Sequence, residues 1–325
     1  NNEGPRLPKA KEYAGHRGWS GSVVRGLTTL GNDVGSWNYN PSHLDMLNDV
    51  IWTDNCPRAR SAVRSGEARR TKFVVCGPVG TTWENKEDFT DPSTGFLIAP
   101  SSWVADRFRG ENVRIRILVS GVDPEFFKPT VQAERSATQN YTVQPGKSVV
   151  LYLKVAGGHG FRLEDPFVQE TRATLVREGW NVIPIVYGDY NEDEWRSALD
   201  RAVAAIFMTS TESQSIALAE AWSMDVPTFV YEVSPLHPAA IFGRWWPHAN
   251  EGPYINYLNG ARWSTIQGVL NLLWDMPAHP WNPREYVIST MTDKISVFNV
   301  LRAIECEWAR RFPDKRGQQM TQIVP

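Results

Sequence analysis

The chain has 325 residues, with 34 Lys and Arg against 36 Asp and Glu and a formal net charge of -2. Its 42% apolar and 22% charged residues are ordinary for globular chains, which excludes wholesale disorder and a collagen-like repeat, and its length suggests two domains. Without a global basic excess the chain is not expected to bind a nucleic-acid backbone, and no run approaches the ~18 consecutive apolar residues of a membrane span.

The first forty residues are rich in Gly, Asn, Pro and Ser. Within them Gly15-His16-Arg17-Gly18-Trp19-Ser20-Gly21-Ser22 reads as a glycine loop, and the apolar Val23, Val24, Leu27 and Leu30 read as the helix that the loop opens. No apolar strand leads into it, so a dinucleotide-binding fingerprint and an NAD-dependent oxidoreductase are disfavoured. Residues 49–52 and 72–76 read as strands, the second stopped by Gly77-Pro78. A third is read at 98–102, where serines can cap a helix starting near Trp103. A fourth spans 113–119, with Arg114 and Arg116 on its polar face. Residues 130–147 turn polar and read as an interdomain linker. A second alternating unit follows: strands at 149–155, 182–187, 205–208 and 228–231, and helices at 166–178, 195–204 and 215–224. Gly179 fits the position just past the first of these helices. The last helix is predicted over 294–311, with Ile295, Phe298, Leu301, Ile304 and Trp308 on one face. Short buried strands separated by helices imply α/β architecture with doubly wound parallel sheets. The tryptophans of the last hundred residues read as packing groups.

Cys56, Cys76 and Cys306 form no C-x-x-C pair. They read as three free thiols of a reducing, cytoplasmic compartment.

The segment Thr209-Ser210-Thr211-Glu212-Ser213-Gln214-Ser215-Ile216 ends a strand and leads into a helix that carries Glu220. Two carboxylates eight residues apart are read as one ~12 Å span of helix with both on the same side. Between them the helix start offers unbonded N–H groups and a positive dipole end, which suit a phosphate or diphosphate. The small Ser213 and Ser215 let the backbone approach an anion.

This segment resembles the Glu-x7-Glu signature of retaining glycosyltransferases of the GT-B fold. Two further stretches are similar to that group in the expected order: Ala99-Pro100-Ser101-Ser102-Trp103-Val104-Ala105-Asp106-Arg107-Phe108, and Gly121-Val122-Asp123-Pro124-Glu125-Phe126-Phe127-Lys128-Pro129. The resemblance is clear from about residue 98 to residue 232. It implies two Rossmann-like domains facing a cleft. Residues 1–130 would form the acceptor side, with a helix near 305–325 packed back on it, and 131–304 the nucleotide-sugar domain.

Position by position, the resemblance implies that Glu212 orients the transferred sugar and Glu220 binds the ribose. The N–H groups of Ser213, Gln214, Ser215 and Ile216 would hold the diphosphate. Lys154 and Arg162 would neutralise the leaving phosphates, although Gly157-Gly158-His159-Gly160 lengthens the interval between them. Gly188 and Asp189 end a strand, and read equally as an ordinary turn and as the place where the base would lie. Gly18, Trp19, Ser20 and Gly21 would face the cleft on the acceptor side. Asp54, just past the strand end at Thr53, reads first as a surface-loop residue and second as one that touches the acceptor. The group usually has Gly where this chain has Ser213, Ser215 and Asp225, and Cys76-Gly77-Pro78 stands where its N-domain histidine is usual.

The reaction implied is sugar transfer with retention, from a nucleotide-diphosphate sugar (a GDP-sugar such as GDP-mannose ahead of a UDP-sugar) to a glycan or glycoprotein. The resemblance implies no metal and no cofactor. No nucleophile for a covalent intermediate is identifiable, so front-side attack is expected. Rival readings are another GT-B enzyme, such as a nucleotide-sugar epimerase or a glycogen-type phosphorylase, and a catalytically silent nucleotide- or glycan-binding module.

Overall fold

A computed structural model describes residues 15–31, 50–53, 56–66, 71–79, 91–130, 147–156, 159–234, 252–313 and 323–324. The linker at 131–146, Asp54, Trp245 and Trp246 lie outside the described residues. The chain divides into two compact units. One comprises Asn1–Gly18 and Val122–Thr292, and the other Trp19–Gly121 and Asp293–Pro325.

The second unit is built on a five-stranded parallel sheet of β1 (Val50–Thr53), β2 (Phe73–Cys76), β3 (Thr94–Ala99), β4 (Ile115–Ile117) and β12 (Ile323–Val324), in the order β12-β1-β2-β3-β4. The central strands FVVC and TGFLIA are buried throughout, as a sheet covered on both faces requires. At the edge, β4 leaves Ile117 49% exposed. Helices α1 (Gly15–Thr29), α2 (Cys56–Ser65) and α3 (Ser102–Asp106) belong to this part of the chain. The expected cap at α3 is incomplete, because Ser101 sits at the N-cap but its side chain makes no capping bond.

Two expectations are corrected here. Gly18 to Gly21 form no loop: they lie inside α1, and Trp19, Val23 and Leu27 enter the core with Trp52, Phe73 and Ile98. The i, i+4, i+8 spacing of those three side chains puts them on one helical face, and it prevails over the local glycine content. The cysteines are not all free: Cys56 and Cys76 are joined in a disulfide between α2 and β2, and only Cys306 is a free thiol. The ground for a reducing compartment is thereby removed.

The final helix α9 (Asp293–Arg311) buries Val297, Val300, Ile304 and Trp308 and leaves Phe298 51% exposed, so its apolar face is rotated from the expected one. Val297 and Val300 join Ile304 and Trp308 in the core, and Glu307 shares their side of the helix. It is buried on that face and accepts from Arg114, Arg310 and Arg311, while Arg311 also donates to the carbonyl of Thr94.

The first unit holds a parallel sheet of β5 (Ser148–Leu153), β8 (Asn181–Val186), β9 (Ala202–Met208), β10 (Thr228–Tyr231) and β11 (Gly260–Trp263), in the order β11-β10-β9-β5-β8. Its helices are α4 (Pro166–Arg177), α5 (Glu192–Asp200), α6 (Ile216–Ser223), α7 (Ile266–Asp275) and α8 (Pro283–Thr290). The continuous apolar runs of β5 and β9 make them central strands, with 0–2% exposure from Val149 to Leu153 and from Ala204 to Met208. β8 carries Pro184, which cannot donate to a ladder, and it is accordingly an edge strand. Gly179 adopts φ 87° just past α4, as its position predicted. Helix α5 begins three residues before Trp195, because Asn191 and Glu194 form a capping box.

From β5 the chain crosses first to β8 on one side and then returns past β5 to β9 on the other. The winding therefore reverses between β5 and β9. In an open α/β sheet, that reversal opens a crevice at the carboxyl ends of the two strands.

Candidate functional site

The carboxyl end of β5 delivers Lys154, and the carboxyl end of β9 delivers the segment Thr209 to Ser215. The two meet at the reversal point: Lys154 Nζ donates to Glu212 Oε2 at 2.8 Å. Glu212 is 3% exposed and the Lys154 side chain 19%. The Lys154 ammonium also lies 4.7 Å from the centre of the Tyr187 ring, at the carboxyl end of β8. That contact is a cation–π attraction.

Burial and pairing pull the two groups in different directions. Burial pushes the Glu212 carboxyl above its ordinary range, and Lys154 opposes that rise without cancelling it. Burial would lower Lys154, but the charge and hydrogen bond of Glu212 outweigh it and hold the ammonium above its ordinary range. The lysine is therefore a fixed positive charge at neutral pH. Behind the pair, burial raises the Tyr152 hydroxyl well above its ordinary value, with Tyr190 and Glu212 adding to the rise.

Glu220 is 1% exposed and accepts a 2.9 Å bond from Trp195 Nε1. This link was not legible in the sequence, since the residues lie 25 positions apart on α6 and α5. Neither glutamate points into solvent. The picture of both on one helix is corrected: Glu212 precedes α6 by four residues and lies in the connecting segment, so only Glu220 is helical.

The reason is Ser215. It stands at the N-cap of α6 with φ 64° and ψ 84°, a left-handed conformation that turns the chain sharply into the helix. Asp225, just past the C-terminus of α6, is also left-handed at φ 59°. These are two of the three positions where the resembling group has Gly, the residue without a steric cost there. Asp225 is held by the Arg284 backbone N–H, and the Arg284 guanidinium donates to the carbonyls of Ser223, Phe127 and Pro124. Among the described residues, Thr209 Oγ1, Thr211 Oγ1 and Ser215 Oγ are buried with no hydrogen-bond partner. Three such hydroxyls in seven residues is an unusual concentration, since buried polar atoms are normally paired.

The remaining expected positions are placed as follows. Ser213 is half-buried, Gln214 is buried and Ile216 begins α6. Gly188 (φ 92°) and the exposed Asp189 form the turn after β8, where the Asp189 N–H bonds the Val186 carbonyl. Arg162 is exposed, and its backbone N–H bonds Asp165 Oδ2 at 2.6 Å. The residues separating it from Lys154 form a hairpin of β6 (Val155–Ala156) and β7 (His159–Gly160). Just after the hairpin, the Phe161 N–H returns to the Lys154 carbonyl at 3.2 Å. Trp19 is buried in its own unit's core, and Cys76, where the histidine is usual, is half of the disulfide. Of the late tryptophans, Trp263 is buried and Trp274 is 45% exposed.

Among the described residues, no three or more His, Cys, Asp or Glu gather in a group able to hold a metal ion, and no helix is long and apolar enough to cross a membrane.

No family model matches the chain, and no curated protein matches it. Solved structures do. The apo form of the lipopolysaccharide outer core galactosyltransferase WaaB is similar at a TM-score of 0.53 and 13% identity, over 83% of this chain and 79% of that one. HepE of Anabaena in complex with UDP is similar at 0.51 and 11%, over 79% of each chain. Sucrose-phosphate synthase of Thermosynechococcus elongatus is similar at 0.50 and 12%, over 81% of this chain and 74% of that one. At such identities the likeness shows a common fold, the α/β GT-B architecture with parallel sheets.

Proposed function

We propose that the chain is a glycosyltransferase that moves a sugar from a nucleoside-diphosphate sugar to a glycan or glycoprotein acceptor with retention at the anomeric carbon. The observation that carries this reading is the buried Lys154–Glu212 pair at the strand-order reversal, beside a loop of unpartnered hydroxyls and a helix start.

In this reading the Lys154 ammonium and the first N–H groups of α6 face the diphosphate. They stabilise the negative charge that grows as the bond between the anomeric carbon and the phosphate oxygen breaks. Arg162, brought back toward Lys154 by the hairpin, supplies a second positive charge at the same strand end. Glu212 accepts from a hydroxyl of the transferred sugar and fixes its orientation. Glu220, its carboxylate held in place by the Trp195 indole, accepts from the ribose hydroxyls. Gly188 and Asp189 border the base.

The acceptor oxygen bonds to the anomeric carbon on the face that the phosphate leaves, and its proton passes to the departing diphosphate oxygen. No covalent intermediate with the protein is required, and the positive charge of Lys154 takes the place of a divalent cation. GDP-sugars, GDP-mannose first, are the donors to assay, with UDP-sugars beside them because the similar HepE structure is a complex with UDP.

The test combines thermal shift against GDP, UDP, ADP and dTDP with product analysis from the corresponding sugars. A nucleotide at about 100 times its dissociation constant stabilises the native state by ~2.7 kcal/mol. Glu212→Gln is expected to keep nucleotide affinity and lose sugar transfer. Binding without transfer by the native protein to any acceptor pool favours the silent binding module, and inverted product refutes retention.

A further inference from the structure

We propose that the Ser215 hydroxyl is itself a ligand of the donor's diphosphate, and that this serine is retained in a strained conformation for that contact. The inference rests on the reading of this loop as a nucleoside-diphosphate site.

A serine at a helix N-cap normally has extended backbone angles, and its side chain then accepts from an N–H of the first turn. Ser215 does neither. Its backbone is left-handed at φ 64°, ψ 84°, and its side chain makes no capping bond. Its Oγ is buried without a partner among the described residues, and the residue is 7% exposed. Two independent costs therefore fall on one residue: left-handed backbone in a residue with a Cβ, and an unpaired buried hydroxyl. Glycine would remove both.

What serine adds over glycine is one hydrogen-bond donor at the start of the eight-residue α6, where the N–H groups of the first turn have no acceptor within the helix. Lys154 places a positive charge at the neighbouring strand end, paired to Glu212 three residues earlier in the same loop. A phosphoryl oxygen is the acceptor that matches these donors, for it accepts several hydrogen bonds at once and carries the opposite charge. With no internal bond fixing it, the hydroxyl can rotate about χ1 to follow such an oxygen.

The test uses the whole chain, with UDP and GDP binding measured by calorimetry and the ligand-free melting temperature measured beside it, for the native protein, Ser215→Gly and Ser215→Ala. Glycine is expected to raise the melting temperature and yet weaken diphosphate binding about ten-fold or more, the loss typical of a hydrogen bond to a charged group. Alanine, which keeps the Cβ, is expected to weaken binding similarly and to melt below the glycine variant. A merely structural role moves stability and affinity together, whereas the ligand role moves them apart in the glycine variant. Affinity within about two-fold of native in both variants overturns the proposal and leaves the nucleotide site standing. A native protein that binds neither nucleotide overturns the site reading, and this inference with it.

Discussion

Replacing Lys154 with methionine isolates the electrostatics of the site. The side chain keeps most of its length and loses its charge, so Glu212 is left 3% exposed without the cation 2.8 Å away. Removing one partner of a buried pair costs ~3–5 kcal/mol, because the remaining charge stays desolvated. Against a total stability of about 5–15 kcal/mol, that is a large fraction. The pH dependence has a definite sign. Glu212 already has a folded-state carboxyl raised by burial against the opposition of Lys154, so the stability it contributes is present at low pH and lost as pH rises through the raised value. In Lys154→Met the opposition is gone and the loss deepens. The deficit relative to the native protein is therefore expected to be greatest near pH 7.5 and to shrink at pH 5 as Glu212 takes up a proton. Lys154 does not interfere in this window. Its folded value is raised, so its contribution is complete below the ordinary ~10.4 and fades only as pH climbs through the raised value. Urea unfolding at both pH values, on Lys154→Met, Glu212→Gln and the double variant, gives the coupling energy directly. A coupling below ~0.5 kcal/mol, or a deficit indifferent to pH, would refute the reasoning.

Three further outcomes are expected. Trp195→Phe removes the N–H that Glu220 Oε2 accepts in a fully buried setting, and unfolding should show a loss of about 1.5–3 kcal/mol, with weaker nucleotide binding on the present reading. Asp225→Asn should stabilise by about 1 kcal/mol or less at pH 7 and lose that advantage on acidification. Burial raises this carboxyl despite the Arg284 N–H, so its contribution falls as pH rises through the raised value, while asparagine tolerates the φ of 59° without carrying a charge. Gly160→Ala should lower the melting temperature and the diphosphate affinity together. A Cβ there would lie 2.1 Å from the Lys154 carbonyl oxygen at a φ of 126°, so the strand end that carries Lys154 must move.

The central strands of the first unit's sheet were legible because they are buried on both faces, and such strands are written as apolar runs, whereas the short edge strand β11 was not read from the sequence. The apolar runs are plain at Val149–Leu153 and Thr228–Tyr231. Where two signals competed, the local one misled. Gly15 to Gly21 has the composition of a loop, yet Trp19, Val23 and Leu27 are spaced for one helical face, and burying three large side chains outweighs the ~1 kcal/mol that each interior glycine costs. Other features have no local signature. The Cys56–Cys76 disulfide depends on the start of α2 lying beside the end of β2, twenty residues on. The Trp195–Glu220 bond depends on two helices meeting beside one sheet. The Glu-x7-Glu interval was expected to be one stretch of helix, but it is a strand exit, a left-handed serine and only then a helix.

The interval between Lys154 and Arg162 shows how a mismatch in sequence can vanish in space. The β6–β7 hairpin pairs Val155 with Gly160 and Ala156 with His159, so its residues cancel as path length. Phe161 resumes against the Lys154 carbonyl almost as though it followed directly. Such an excursion needs one residue that can pass over that carbonyl without a side chain, and Gly160 is that residue. An extra hairpin at a strand's carboxyl end therefore leaves the β5 ladder to β8 and β9 intact through Leu153 and returns the backbone beside Lys154 one residue before the exposed Arg162. On the proposed reading, the return contact at Lys154, and not the spacing along the chain, is the criterion for a second cation at Arg162.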